Sequence, residues 1–412
     1  EMIGALCEQG GLKGIVFDTE MYSNTDIWSY SARPLADKKT FAEYASRARL
    51  RGRQFMEALC SRKADMVVLL MFGHSKLYED TMLPGATVRE HGYGLMPAFL
   101  DGMLEGATPE ATIIDGYEQS YIFKDPRAFY EGYRNVHRAR DISSVPLEYG
   151  AHMRVGFGIW YDAGSPQIGW PNRDDFRKNK HTPRELSQSF VYALDAADRY
   201  VWTWGMHSWW YGNEIPSAYA EALRQAQNCR KNVTLVRTLY TRQPEEKVTV
   251  DFETREGVHN YLEACGVEED IELVKQLPLE WEFSMVPRFG DDQDRLKGFP
   301  AVEKKMAVTD FFSRQGFALN GPSAARVSFS VPDMANTKGL HLLVGAVDES
   351  ALVYLNGKLI GFFNVGGLGW DQPFLVDAAE YIRPGETNQV VFECFDRSYA
   401  GGIWRPVWLV RR

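Results

Sequence analysis

Two regimes of hydrophobic and polar patterning divide this chain of 412 residues. Up to about residue 225, short apolar runs rich in β-branched and aromatic residues alternate with longer stretches whose apolar positions recur every three or four residues. That alternation predicts βαβ units around a parallel sheet. The strand candidates are GIVFD (14–18), DMVVLLMF (65–72), ATIID (111–115), MRVGFGIW (153–160) and RYVWTW (199–204). Helical spacing covers FAEYASRARLRGRQFMEALCSRK (41–63), 126–144 and 182–198, the last opened by TPRE, a capping box with proline in the first turn. The opening EMIGALCEQGGLKG reads as a helix running through Gly-Gly into the first strand. Beyond PSAYAEALRQAQNCRKN the period shortens. Residues 231–275 are mixed, and from LPLEWEFSMV onward ARVSFSV, LHLLVGAV, ALVYLNGKLIGFF, QPFLVD and NQVVFECF alternate with turn signals. Asn356-Gly357, between β-formers, is the strongest hairpin signal in the chain.

These patterns predict an α/β part followed by an all-β part. Residues 1–228 are expected to form the C-terminal part of a (β/α)8 barrel and to carry catalysis, 229–275 to connect, and 276–412 to form a β-sandwich. Five βα units behind a leading helix predict a barrel whose first three strands lie upstream of Glu1. The structural alternative is an open, doubly wound sheet, but no Gly-rich phosphate loop follows any strand: GYG (92–94) and GFG (156–158) lack the spacing.

Composition narrows the chemistry. Net charge is −9 and no stretch concentrates Lys and Arg, which argues against nucleic acid or an anionic membrane as partner and suits a neutral one. No apolar run approaches the ~18 residues of a membrane span. Cys7, Cys60, Cys229, Cys265 and Cys394 show no C-x-x-C spacing and are an odd number, so they read as small buried hydrophobes rather than zinc ligands or disulfides. Aromatics are abundant, 13% with 11 Trp and 20 Tyr. Core filling accounts for part of them, yet Trp202, Trp204, Trp209, Trp210 and Tyr211 crowd one strand end.

Acids and aromatics recur where the predicted strands end: Asp18 and Glu20 with Tyr22 after the first, His74 after the second, Asp115 and Glu118 after the third, Trp160 and Asp162 at the fourth, and Trp204, His207, Trp209 and Trp210 at the fifth. In an α/β barrel that rim carries the active site. Carboxylates whose environments push their pKa values apart can divide acid and base work, as glycosidic cleavage requires, while flat aromatic faces pack on sugar rings. Asp18 can equally cap a helix or pair with an arginine, Asp115 can orient Glu118 or bind a hydroxyl, and the histidines read as hydrogen-bonding groups. No metal site, cofactor or G-x-S-x-G nucleophile is indicated.

The stretches VGAVDESALVYLNGKLIGFF (344–363), GWDQPFLVD (369–377), YIRPGETNQVVFECFD (381–396) and GGIWRPVWL (401–409) resemble the jelly-roll sugar-binding domain of glycoside hydrolase family 2. The resemblance implies a galactose-binding-like sandwich beside a carbohydrate-active catalytic domain. It offers Trp370, Asp371 and Trp404 as sugar contacts, although GGIWRP equally suits a turn packed on its neighbours. GLKGIVFDTEMYSNTDIW resembles bacterial barrel proteins of the broad glycoside hydrolase group. In the clan containing family 2, the acid/base glutamate follows strand four, usually after an asparagine, and the nucleophile follows strand seven. Here Thr19 stands where that asparagine would, and the strand-seven position ends in Asp162, so Glu20 and Glu118 are the preferred pair with Asp18 as a further candidate. The expectation is a glycosidase acting on an oligo- or polysaccharide; the sequence does not fix the compartment, with periplasmic or extracellular placement left open. A non-catalytic carbohydrate binder, a lyase and a transglycosylase are the alternatives.

Overall fold

The structure is a computed structural model, described for residues 1–22, 26–82, 84–165, 169–206, 214–235, 254–264, 271–285, 304–317, 321–396 and 401–412. It contains two compact units, Glu1–Pro171 with Tyr192–Glu214, and Asn172–Val191 with Ile215–Arg412.

The first unit is built on a five-stranded parallel sheet in sequential order: β1 (Gly14–Phe17), β2 (Val67–Leu70), β3 (Thr112–Asp115), β4 (Met153–Trp160) and β5 (Tyr200–Trp204). Sequential parallel neighbours need a crossover each. Helices α2 (Phe41–Cys60), α3 (His74–Thr81), α4 (Met96–Glu105), α5 (Pro126–Arg138) and α6 (Pro146–His152) lie in those crossovers, and α1 (Met2–Gln9) precedes β1. The central strands are buried on both faces, with Val68, Leu70, Ile113, Ile114, Val155, Phe157 and Ile159 at or near zero exposure, which is why they read as continuous apolar runs. Burial falls away at the edges, where Val16 of β1 is 61% exposed. A capping box at Thr40 and Glu43 opens α2. A second, in which Thr182 N–H donates to Glu185 and Glu185 N–H to Thr182 Oγ1, opens α7 (Pro183–Ala196), as TPRE predicts; this start of α7 is assigned to the second unit and its last turn to the first.

The second unit contains two antiparallel sheets. One has the order β13-β12-β15-β10-β8-β9 and the other β6-β14-β11-β16-β7. Their strands are β6 (Val233–Leu235), β7 (Glu272–Gln276), β8 (Glu280–Met285), β9 (Lys304–Ala307), β10 (Gly321–Ser330), β11 (Leu340–Asp348), β12 (Ser350–Leu355), β13 (Lys358–Asn364), β14 (Phe374–Asp377), β15 (Thr387–Asp396) and β16 (Gly402–Arg411). A single core takes Phe283, Val327, Val353 and Phe392 from the first sheet and Leu342, Val344, Val376 and Leu409 from the second. The alternate residues Leu343, Leu375, Trp408 and Val410 face Val258 and Tyr261 of helix α9 (Arg255–Ala264), so period-two alternation is satisfied on both faces. Helix α8 (Ser217–Asn228) belongs to this unit. Strands β6 and β7, from the stretch expected to connect, form the two edges of the second sheet. At the predicted hairpin Asn356 (φ 51°) and Gly357 (φ 78°) both take left-handed backbone, the type I′ turn that suits β-strand twist.

Cys7, Cys60, Cys229 and Cys394 are buried free thiols, and Cys265 lies outside the described residues. Among the described residues no helix is long and apolar enough to cross a membrane.

Candidate active site

The loops leaving β1 and β3 are each fixed by one buried hydroxyl. Thr19 Oγ1 donates to the Phe72 carbonyl (2.8 Å) and accepts from the Phe72 N–H (3.0 Å), acting as an extra rung between the ends of β1 and β2. Trp28 Nε1 donates to the Thr19 carbonyl (2.8 Å). Asp18 and Glu20 flank this buried residue, and Asp18 Oδ1 accepts from the Glu20 N–H (2.9 Å). The Tyr22 hydroxyl lies 2.6 Å from Asp18 Oδ2 and 2.5 Å from Glu20 Oε2. Both carboxylates stabilise its proton, so the Tyr22 phenol is held well above its ordinary range.

After β3 the chain turns through Tyr117, whose φ of 42° is a sparsely populated conformation for a bulky residue, worth ~1–3 kcal/mol of strain. Its hydroxyl donates to Glu79, which also accepts from Asn135 Nδ2 (3.0 Å), so the strained residue is anchored at its far end. The turn places Glu118 at the start of a short 3-10 segment, Glu118–Ile122. Ser120 repeats the device seen at Thr19: its Oγ donates to the Gly158 carbonyl of β4 (2.8 Å) and accepts from the Gly158 N–H (3.0 Å).

Glu118 is half-buried, and its Oε2 is enclosed with no hydrogen-bond partner among the described residues. Burial pushes its carboxyl up to about 7, and the Glu20 and Asp18 charges push the same way, against the Tyr121 hydroxyl and the Lys76 ammonium. Tyr121 is raised by burial and by the Glu118, Glu20 and Tyr22 side chains, and Tyr93 by burial with Glu20 and Glu118 contributing. The Tyr93 hydroxyl accepts the Met21 N–H (3.1 Å). Asp18, Glu20, Glu118, Tyr22, Tyr93, Tyr121 and Lys76 therefore share one electrostatic environment beyond the C-terminal ends of β1 to β3. The Tyr121 ring continues it, standing edge-on to Trp160 (5.7 Å) and Trp202 (5.3 Å).

Other expected residues occupy different positions. Asp115 is fully buried and accepts the backbone N–H groups of Ser75 (3.1 Å) and Tyr117 (3.2 Å), so it ties the start of α3 to the turn before Glu118. Burial raises its carboxyl. His74 is also buried. Its Nε2 lies 3.0 Å from Asp101 Oδ1, and Asp101 in turn accepts from Ser143 and Ser144. Despite its burial, the His74 and serine contacts hold Asp101 below its usual value. Asp162 is buried, accepting from Trp160 Nε1 (2.9 Å) and the Met206 N–H (3.0 Å) across the ends of β4 and β5. Trp160 is nearly buried, and Trp204 is 37% exposed. His207, Trp209 and Trp210 lie outside the described residues.

In the second unit Trp404 is buried in a stack, 4.3 Å from Phe311 and 5.3 Å from Trp370, with the Arg405 guanidinium 4.2 Å from its ring centroid; its Nε1 donates to the Trp370 carbonyl (2.7 Å). Trp370 and Asp371 are half-buried.

Lys76, Tyr93 and Tyr121 were not among the sequence candidates. Tyr121 had a local signal, three residues beyond Glu118. Lys76 and Tyr93 had none, because tertiary structure alone brings GHSK and HGYG to the carboxylates. Among the described residues no group of three His, Cys, Asp or Glu is placed to hold a metal ion.

No family model and no curated protein matches the chain. Among solved structures it is similar to a β-glucuronidase from Ruminococcus gnavus: 20% identity and a TM-score of 0.30 for the apo form and for the complex with D-glucuronic acid, and 21% identity with the same TM-score for the complex with D-glucaro-1,5-lactone. Each likeness covers 35% of this chain and 30% of that enzyme chain.

Proposed function

We propose that this chain carries a glycosidase site, with Glu118 as general acid and Glu20 as base or nucleophile, and with Asp18 setting the local charge. The observation that carries the reading is the setting of Glu118: half-buried, with Oε2 enclosed and unpartnered among the described residues, its carboxyl is pushed up to about 7 by burial and by the Glu20 charge, so it keeps a proton near neutral pH that it can pass to a leaving oxygen. Tyr22, Tyr93 and Tyr121 supply hydroxyls around the acids, and Trp160, Trp202 and Trp204 supply ring faces at the same end of the sheet. On this reading the five parallel strands are consecutive strands of an eight-stranded barrel, and residues 276–412 form a jelly-roll sandwich to which the stretch 229–275, expected to connect, adds the edge strands β6 and β7. Asp115, His74 and Asp162 act by holding the rim in place. His207, Trp209 and Trp210 are further candidates for the rim's sugar contacts, and within the sandwich Trp370 and Asp371 are separate candidates, with Trp404 supporting Trp370.

The test is turnover of a panel of aryl glycosides, followed by Glu20→Gln and Glu118→Gln. The expected result is hydrolysis of at least one glycoside, with kcat lost in both variants and ligand binding kept. Absence of hydrolysis across the panel overturns the proposal in favour of a carbohydrate binder. An unsaturated product would assign a lyase, and an adduct with an acceptor sugar a transglycosylase.

A further inference from the structure

Charge at the rim constrains what it can hold, and this inference rests on reading the rim as a carbohydrate site. Three carboxyl groups, Asp18, Glu20 and Glu118, act on one another there, and the cation that acts on Glu118 is Lys76. That ammonium is already matched: Lys76 Nζ lies 3.1 Å from Asp80 Oδ2, four residues on, and 5.7 Å from the centre of the Phe72 ring. Lys124, which follows the Glu118 segment, is not free either. The parts of the first unit outside the described residues add no lysine or arginine by sequence, since 23–25 is Ser-Asn-Thr, 83 is Leu, 166–168 is Pro-Gln-Ile and 207–213 is HSWWYGN, whose one basic residue is His207. A site for a uronate, sulfate or phosphate needs a guanidinium or ammonium free to meet it, usually an arginine fork. Among the described residues this rim offers carboxylates, phenols and indole rings instead.

We propose that the rim is a charge-selective carbohydrate site that takes uncharged sugars, takes sugars bearing a protonated amine more tightly, and rejects sugars bearing a carboxylate, sulfate or phosphate. Asp18, with Tyr22 against it, is the exposed carboxylate best placed to meet an ammonium. The enclosed and unpartnered Glu118 Oε2 is the atom a sugar hydroxyl or glycosidic oxygen would satisfy.

The experiment titrates the full chain, by tryptophan fluorescence or calorimetry, with matched methyl glycosides in gluco, galacto and manno configurations, each as neutral sugar, 2-amino-2-deoxy sugar and uronate, in both anomers. In at least one configuration the amino sugar should bind more tightly than the neutral sugar, and the uronate roughly tenfold or more weakly. The gap should narrow at high salt, which screens charge but leaves shape untouched. Asp18→Asn should reduce the amino-sugar preference and ease the uronate penalty. A uronate binding as tightly as its neutral counterpart at low salt, a preference insensitive to salt, or no binding of any neutral or amino probe overturns the inference. Because the readout is binding, loss of the glycosidase reading for want of turnover leaves a distinct result: selective binding without hydrolysis.

Discussion

Replacing Glu118 by Gln tests the site through folding as well as catalysis. The amide copies the shape of the protonated acid and cannot ionise. In the folded chain the carboxyl titrates at about 7, against an ordinary value of 4.5. Because the folded value is the higher one, the folded chain keeps a proton that the unfolded chain releases. The resulting stability is fully present below about pH 4.5 and is lost as pH rises through about 7. The gap between the two values corresponds to roughly 3 kcal/mol at full strength. Glu118 is only half-buried, and screening by solvent brings this to ~1–2 kcal/mol. Glu118→Gln should therefore match the wild type near pH ~4 and exceed it by ~1–2 kcal/mol near pH ~8. Urea denaturation of both proteins across that range measures the difference, and common effects of pH cancel. A gap independent of pH, or a wild type more stable than the variant at the alkaline end, would refute the burial argument. If Glu118 is the general acid, wild-type activity should fall above about pH 7, and the same substitution should lower kcat by ~10²–10⁴ and remove that fall.

Lys76→Met removes the ammonium that opposes protonation of Glu118, so the alkaline limb of the rate profile should move to higher pH; an unmoved limb would separate Lys76 from the site. Thr19→Val strands the Phe72 N–H and carbonyl and should cost ~1–3 kcal/mol in urea denaturation, with a larger fractional loss of kcat than of binding. Gly73→Ala would drive its new Cβ to 2.2 Å from the buried Asp115 Oδ2, and overpacking should cost ~1–3 kcal/mol, read as a lowered Tm with disturbed activity. Gly357→Ala meets nothing within 4 Å, so its cost of ~1 kcal/mol should arise from the positive φ alone and leave the rim chemistry unchanged.

Hydrophobic period made the strands legible. All five strands of the first unit sit where apolar runs predict them, most with ends trimmed by a residue or two; the central three are buried on both faces and cannot hide polar positions, and the edge strands β1 and β5 keep apolar or aromatic runs although parts of them are exposed. Asn356-Gly357 was legible for a local reason, since both residues tolerate the positive φ that a tight hairpin needs. Helices α3, α4 and α6 were less visible. The α4 sequence MPAFLDGMLE contains a glycine and a buried aspartate, and α6 is only seven residues long, so neither displays a clean amphipathic stripe. At the site, acids at strand ends were readable as positions but not as environments. Asp18 and Asp115 occupy equivalent places in sequence, yet one is exposed and the other holds two backbone amides in the interior.

The deepest part of the site lies in contacts that sequence spacing cannot express. Thr19 and Ser120 look like ordinary small polar residues in loops, and their partners are 53 and 38 residues away. Each bridges a backbone N–H and a carbonyl at the end of a neighbouring strand, and each stands within two residues of a rim glutamate. A loop leaving a parallel strand has lost its ladder, so side-chain contacts must offset the entropy that opposes fixing its direction. A hydroxyl that both donates and accepts restores one rung on the far side of the strand end, and threonine or serine is suited to do so because a single atom carries both functions. A larger amide at position 19 would need two atoms to make the same pair of bonds within a fully buried space. Threonine at position 19 is thus accounted for by geometry: one short, buried hydroxyl makes both bonds and fixes where Glu20 begins.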